Sequence, residues 1–233
     1  MKTLVILEMA NNHMGSVLHA KKIIKAYSQI TKKFSDKIDF AVKFQYRDSN
    51  TFIHNSYMNS NDRVVERFKS TFLSDKEWKD LGNFSRKYFS LACTPFDEIS
   101  ANKVFKEKFD YVKIASCSIT DWPLVQHIYS NYRKKKKKII ASLGGLSEIE
   151  ILKATSYFTN RRVDISFLYC VAKYPSSAND LNLSFFNHLK KKYGDKIIGF
   201  STHEDPKIKL SPSIAYGAGA RIFEKHIGLE TKK

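Results

Sequence analysis

Eight short apolar runs, rich in Val, Ile, Phe and Tyr, alternate along the chain with longer stretches of helical periodicity, and this alternation limits the fold more than any other feature. The runs lie at 3–10, 38–45, 88–96, 109–116, 137–144, 164–172, 196–203 and 220–227. Helical patterns fall between them, at 16–30, near 75–87, and at 96–109, 147–158 and 182–194. Several open on a Ser or Asp suited to capping the first free amides. A βα alternation implies parallel strands, and eight repeats favour closure over an open sheet. The expected fold class is α/β, a (β/α)8 TIM barrel in one domain spanning 1–233. No glycine-rich dinucleotide loop or phosphate-binding P-loop follows any strand.

Two connections depart from the pattern. More than forty residues separate the second and third runs, too many for one helix and its turns, so an extended loop over the barrel mouth is expected before the helix near 75–87. After the eighth run only a few residues remain, and the expected barrel lacks its eighth helix.

The 233 residues include 40 Lys and Arg against 23 Asp and Glu, a formal net charge of +17. Such a balance raises the question of a polyanionic partner. The lysines are spread over predicted helices, with clusters at 133–138 and 190–192, and no aromatic-interleaved RNA-binding motif or helix-turn-helix pattern accompanies them. They read as a solvated surface, so neither nucleic acid nor a membrane is expected as a partner. No stretch is long and apolar enough for a signal peptide or a membrane span, which predicts a cytoplasmic protein. Cys93, Cys117 and Cys170 lie in apolar segments without paired spacing and are expected as buried, reduced thiols.

In barrels of this kind the chemistry sits at the carboxyl ends of the strands. Read there, every predicted strand ends polar. The first run ends at Glu8, followed by Asn12. The second carries Lys43 and Gln45 on one face, the third Thr94, and the fourth Lys113, Ser116 and Ser118. The fifth ends at Ser142 before two glycines, and the sixth is followed by Tyr174. Ser201 with His203, and Glu224 with His226, share faces on the last two runs. Adjacent strands would place the two histidines side by side at one height, suited to a divalent cation. Lys43 and Lys113 interrupt apolar strands, where an unpaired ammonium costs several kcal/mol. They could pair with Glu8 and Glu224. A bound divalent cation would then leave room for an anion among Ser116, Ser142, Ser201 and the glycine amides.

The stretches "ILEMANNHMGS", "AVKFQ", "ACTPFD", "VKIASCSITDWPL", "ASLGGLSEIE", "YCVAKYP", "IGFSTHE" and "EKHIG" resemble, in order and spacing, those of the sialic acid synthase (N-acetylneuraminate synthase) family. The resemblance touches all eight strands. It implies a metal-dependent condensation of phosphoenolpyruvate with an N-acetylated aldose such as N-acetylmannosamine, giving a nonulosonic acid and phosphate. It implies that His203 and His226 hold the metal, manganese or in its place magnesium or cobalt. It further implies that Lys43, Lys113, Ser116, Ser142 and Ser201 contact phosphoenolpyruvate, and that Glu8, Gln45 and Tyr174 surround the reacting carbons or the sugar. Asn12, Thr94, Ser118 and Glu224 are assigned to substrate binding. Two positions depart from the family pattern, Ser118 in place of a glutamate and Ala172 in place of an asparagine, and both bear on sugar preference. Another phosphoenolpyruvate-dependent sugar synthase, or a non-catalytic barrel binding metal or phosphorylated sugar, are the alternatives.

Full-length relatives continue into an eighth helix and a C-terminal antifreeze-like domain that reaches the neighbouring subunit. The expected assembly is therefore a homodimer, or association with a chain that supplies this part. Without the helix, an apolar strip on the outer face of strands eight and one is expected to lie exposed.

Overall fold

A computed structural model of the chain describes residues 2–205 and 207–230. Eight parallel strands close in sequence order, each paired to the next and β8 to β1. They are β1 Thr3–Glu8, β2 Ile38–Tyr46, β3 Ser90–Pro95, β4 Tyr111–Ile114, β5 Lys138–Ser142, β6 Ile165–Cys170, β7 Ile197–Ser201 and β8 Ile222–His226. The expected barrel is present. Most strands are shorter at both ends than their apolar runs, because backbone pairing stops before the apolar character does.

Eight α-helices connect them: α1 Val17–Thr31, α2 Arg63–Ser70, α3 Asp75–Ser85, α4 Glu98–Lys106, α5 Trp122–Lys134, α6 Glu148–Asn160, α7 Leu183–Tyr193 and α8 Ser211–Gly217. Side-chain caps start most of them. Ser74 with Glu77 and Ser147 with Glu150 form capping boxes, while Ser16, Asp62, Asp97 and Asp121 each accept from a first-turn amide. Seven helices fill the seven strand-to-strand connections. The additional one, α2, lies in the long β2–β3 connection, which is thus partly helical rather than the extended loop expected. After β8 no helix is found among the described residues.

Alternation along the strands divides the core in two. Outward residues such as Val42, Phe44, Phe167 and Phe200 pack with helical Ile23, Leu81, Phe158 and Phe186 in one continuous cluster. Inside the barrel a smaller cluster of Leu4, Ile6, Ala41, Ile140, Leu168 and Ile222 plugs the amino-terminal end. Gly199 is required there, since a Cβ at that position would overlap the Leu168 side chain. Above this plug the inward positions turn polar: Glu8, Lys43, Thr94, Lys113, Ser142, Ser201 and Glu224 are all buried.

Two expectations are corrected. Leu7 and Phe223, on the outer face of β1 and β8, are buried in the main cluster rather than exposed, with Phe223 packed edge-on to Phe200. Cys93 and Cys170 are buried, but Cys117 sits exposed in the turn after β4.

Candidate functional site at the barrel mouth

The polar layer is an ion network. Register places Glu8 beside Lys43 on β1 and β2, and Ser201 beside Glu224 on β7 and β8. Lys43 Nζ lies 2.5 Å from Glu8 Oε2 and 3.0 Å from Glu224 Oε1. From β4, Lys113 Nζ donates to Ser142 Oγ at 2.7 Å and approaches Glu224 Oε1 at 3.8 Å. Ser201 Oγ donates to the same Glu224 oxygen at 3.3 Å, and Glu8 Oε1 accepts from the Ala10 amide at 2.6 Å.

The two lysines are not equivalent. Burial works against both charges, but Glu224 and Glu8 more than offset it at Lys43, whose pKa is raised. At Lys113 burial prevails over the more distant Glu224, with Lys43 adding repulsion, and the pKa falls below the 10.5 of an ordinary lysine. Glu224 is held below the usual carboxylate range: burial opposes its charge, and Lys113 and Lys43 outweigh that cost. The pairing of lysines with Glu8 and Glu224 that the sequence allowed is therefore realised, more tightly for Lys43 than for Lys113.

Above the network stand the histidines. β7 ends at Ser201, so His203 lies in the loop beyond the strand rather than on it, while His226 closes β8. Their rings are nevertheless neighbours, with centroids 5.2 Å apart. The pKa of His203 is lowered to about 4 by burial and then by His226, with Glu224 opposing, so the imidazole is neutral at physiological pH. Tyr174 belongs to the loop after β6, 70% exposed, and its ring lies 3.9 Å from that of His203.

The remaining predicted residues divide. Ser142 ends β5 and Thr94 is next to last on β3, whereas Ser116 lies in the turn after β4, where its Oγ accepts from the Gly144 amide at 3.0 Å. Gln45 faces the mouth and accepts from Arg47 at 2.5 Å. Asn12 is not directed at the site: its side-chain amide is engaged by the Ile227 carbonyl at 2.7 Å and ties the β1–α1 loop to the end of β8. Ser118 is buried in the turn after β4 with the Cys117 sulfur at 3.8 Å as its polar contact. Neither joins the network.

Six buried side-chain nitrogens or oxygens among the described residues lack a hydrogen-bond partner, and four belong to this mouth: Arg47 Nε, Thr94 Oγ1, His203 Nδ1 and Glu224 Oε2. Buried polar atoms are normally paired, so their concentration marks a place built for a ligand's own polar atoms. Arg47 was not anticipated. Its position, two beyond Gln45 and just past the end of β2, was the available signal.

The profile of the NeuB family matches residues 30–233. Pseudaminic acid synthase from Campylobacter jejuni is 29% identical over 98% of this chain. Among solved structures, a putative spore coat polysaccharide biosynthesis protein E from Chromobacterium violaceum is 39% identical with a TM-score of 0.92, covering 99% of this chain and 67% of that one. The N-acetylneuraminic acid (sialic acid) synthetase from Leptospira borgpetersenii is 27% identical with a TM-score of 0.80, over 99% of this chain and 74% of that one. The chain spans just under two thirds of the curated relatives it matches, 66% of the Campylobacter enzyme and 63% of an uncharacterized Methanocaldococcus jannaschii protein that is 30% identical.

Proposed function

The chain belongs to the NeuB family, and we propose that its barrel condenses phosphoenolpyruvate with an N-acetylated aldose to give a nonulosonic acid and inorganic phosphate. The observation that carries this reading is the buried network of Lys43, Lys113, Ser142, Ser201 and Glu224 beneath a neighbouring pair of histidines. Lys113 has charge to spare for an anion. Its closest carboxylate is 3.8 Å away, and its hydrogen bonds go to the neutral Ser142 hydroxyl and the Ile114 carbonyl. The Ser116, Ser142 and Ser201 hydroxyls, Thr94 and the amides of the β5–α6 turn are the further donors.

In the reaction, C3 of phosphoenolpyruvate attacks the open-chain aldehyde carbon and forms the new carbon–carbon bond. Water adds at C2, and the C2–O bond to phosphate breaks as phosphate leaves. Lys113 and the serines hold the phosphate and carboxylate against Coulomb repulsion, and Lys43 fixes Glu8 and Glu224 within the mouth. Glu8 is the carboxylate placed to move a proton at the aldehyde or the attacking water. Tyr174, beside His203, and Gln45, at the top of β2, would contact the sugar.

The donor set fits a divalent cation in part. His203 is neutral, its Nδ1 is buried without a partner, and His226 is adjacent. Among the described residues no group of three His, Cys, Asp or Glu converges, so the protein would supply two imidazoles and the substrate and water the rest. Bound there, manganese would supply Lewis acidity to the aldehyde oxygen. Among the described residues, no helix is long and apolar enough to cross a membrane.

The test is phosphate release from phosphoenolpyruvate, with manganese, across a panel of N-acetylated hexosamines. Aldose-dependent release is the expected result; release that ignores the aldose, or none with any aldose, contradicts the reading.

A further inference from the structure

Resting on that reading, we infer that Arg47 is a positioning residue that fixes the side-chain amide of Gln45 so that only its N–H groups face the acceptor sugar. Arg47 is the first residue beyond β2, two past Gln45, and its guanidinium turns back to the Gln45 side chain at the mouth. Its guanidinium is caged by three rings, Phe96 at 4.4 Å, Phe68 at 4.7 Å and Phe52 at 5.2 Å. No carboxylate lies within ion-pair distance of it among the described residues, so the cage and Gln45 are what hold it. One guanidinium nitrogen donates to Gln45 Oε1 at 2.5 Å.

The direction of that bond is not a free choice. Arg carries five donors and no acceptor, so the atom of Gln45 that faces it must be the oxygen. The Nε2 group is thereby turned away from Arg47. Among the described residues it meets no protein acceptor, and Gln45 and Arg47 together line a cavity of about 300 Å³ over the mouth, with Asn11, Phe68 and Trp78. An unrestrained glutamine offers either a donor or an acceptor by rotating its amide. Here it offers donors alone. The ligand atom it reads is therefore an acceptor, such as the carbonyl oxygen of an aldehyde or N-acetyl group, and a protonated amine at the same place is rejected.

The cage explains why arginine serves. Three aromatic faces fix the plane of the guanidinium, and the plane fixes the amide. The β2–β3 connection contributes two of the rings, Phe52 and Phe68, so α2 is part of this arrangement rather than an ornament on the loop.

Steady-state phosphate release with phosphoenolpyruvate and N-acetylmannosamine tests the assignment. Arg47→Met keeps an apolar stem in the cage but frees the amide. It should raise the KM for the aldose by about tenfold, the worth of one hydrogen bond, with the KM for phosphoenolpyruvate within about twofold of the parent. Arg47→Lys, which also can only donate, should recover part of the loss. In a Gln45→Leu background, Arg47→Met should add nothing further. An unchanged aldose KM, equal losses for both substrates, or an additive loss in the Gln45→Leu background would each overturn the assignment. If Arg47→Met does not fold, Gln45→Glu decides: its carboxylate would pair with Arg47 and present no donor, so unchanged aldose KM refutes the idea. A parent that releases no phosphate with any aldose defeats the functional reading and this inference with it, whereas an active parent matched by Arg47→Met defeats this inference alone.

Discussion

The mouth of the barrel holds two polar groups built on opposite plans. The lower one, Lys43 with Glu8, Glu224, Lys113 and Ser142, is buried and knit by short contacts. The upper one, His203 and His226, is partly open to solvent and joined only by ring proximity. Charges buried without partners are costly, so the lower group must satisfy itself before any substrate arrives, and its members are bound up with the stability of the fold. The histidines above carry no buried charge of this kind. They can wait for a ligand without destabilising the chain, which is the behaviour expected of groups that function only when occupied.

The largest effect should come from breaking the lower group. Glu224→Gln leaves Lys43 with Glu8 alone and Lys113 with no counter-charge. A loss of about 3–5 kcal/mol is expected in urea unfolding, the scale of an uncompensated buried charge. A loss below about 1 kcal/mol would mean that water reaches this layer and that the comparison is overdrawn.

A second effect separates the two lysines within the network. Only the ammonium form of Lys113 attracts an anion, and its pKa is depressed, chiefly by burial, whereas that of Lys43 is raised. Phosphoenolpyruvate affinity should therefore fall as pH rises, beginning below the 10.5 of an ordinary lysine, because Lys113 loses its proton while Lys43 keeps its own. The substrate is fully ionised throughout the alkaline range. A titration series in which affinity stays level to pH 10 would show that Lys113 retains its charge and that the asymmetry is absent.

The smallest effect on the fold, with a sharp effect on the metal, should follow from His226→Ala. Removing an exposed imidazole should alter unfolding free energy by no more than about 0.5 kcal/mol, yet thermal stabilisation by manganese should disappear. Stabilisation equal to that of the parent would place the cation elsewhere.

The contrast also shows what was readable in the sequence. Lys43 and Lys113 stood out because a charge inside an apolar strand has few uses, and strand parity fixed which way they point. The histidines were paired correctly even though His203 lies past the end of its strand; two residues of loop were too few to carry it away from His226. Parity says nothing about turns, and it could not place the residues there. Asn12 and Ser118 lie in turns after β1 and β4, where backbone geometry decides direction, and their side chains serve the ends of β8 and the turn itself. The short helix α2 was hidden in the long polar β2–β3 connection, although Asp62 at its start was a capping signal. The Phe cage around Arg47 joins residues 47, 52, 68 and 96 across that same stretch, a convergence that no local periodicity records.

The central claim is that the buried network is the anion site, and calorimetric titration with phosphoenolpyruvate in the presence of manganese tests it most directly. The parent should bind, and Lys113→Met should bind more weakly by about 1.5–3 kcal/mol, the range for a hydrogen bond to a charged group, while His19→Ala, a change on α1, should match the parent. Equal affinity in Lys113→Met and the parent would contradict the account and leave Lys113 as a structural partner of Glu224 and Ser142.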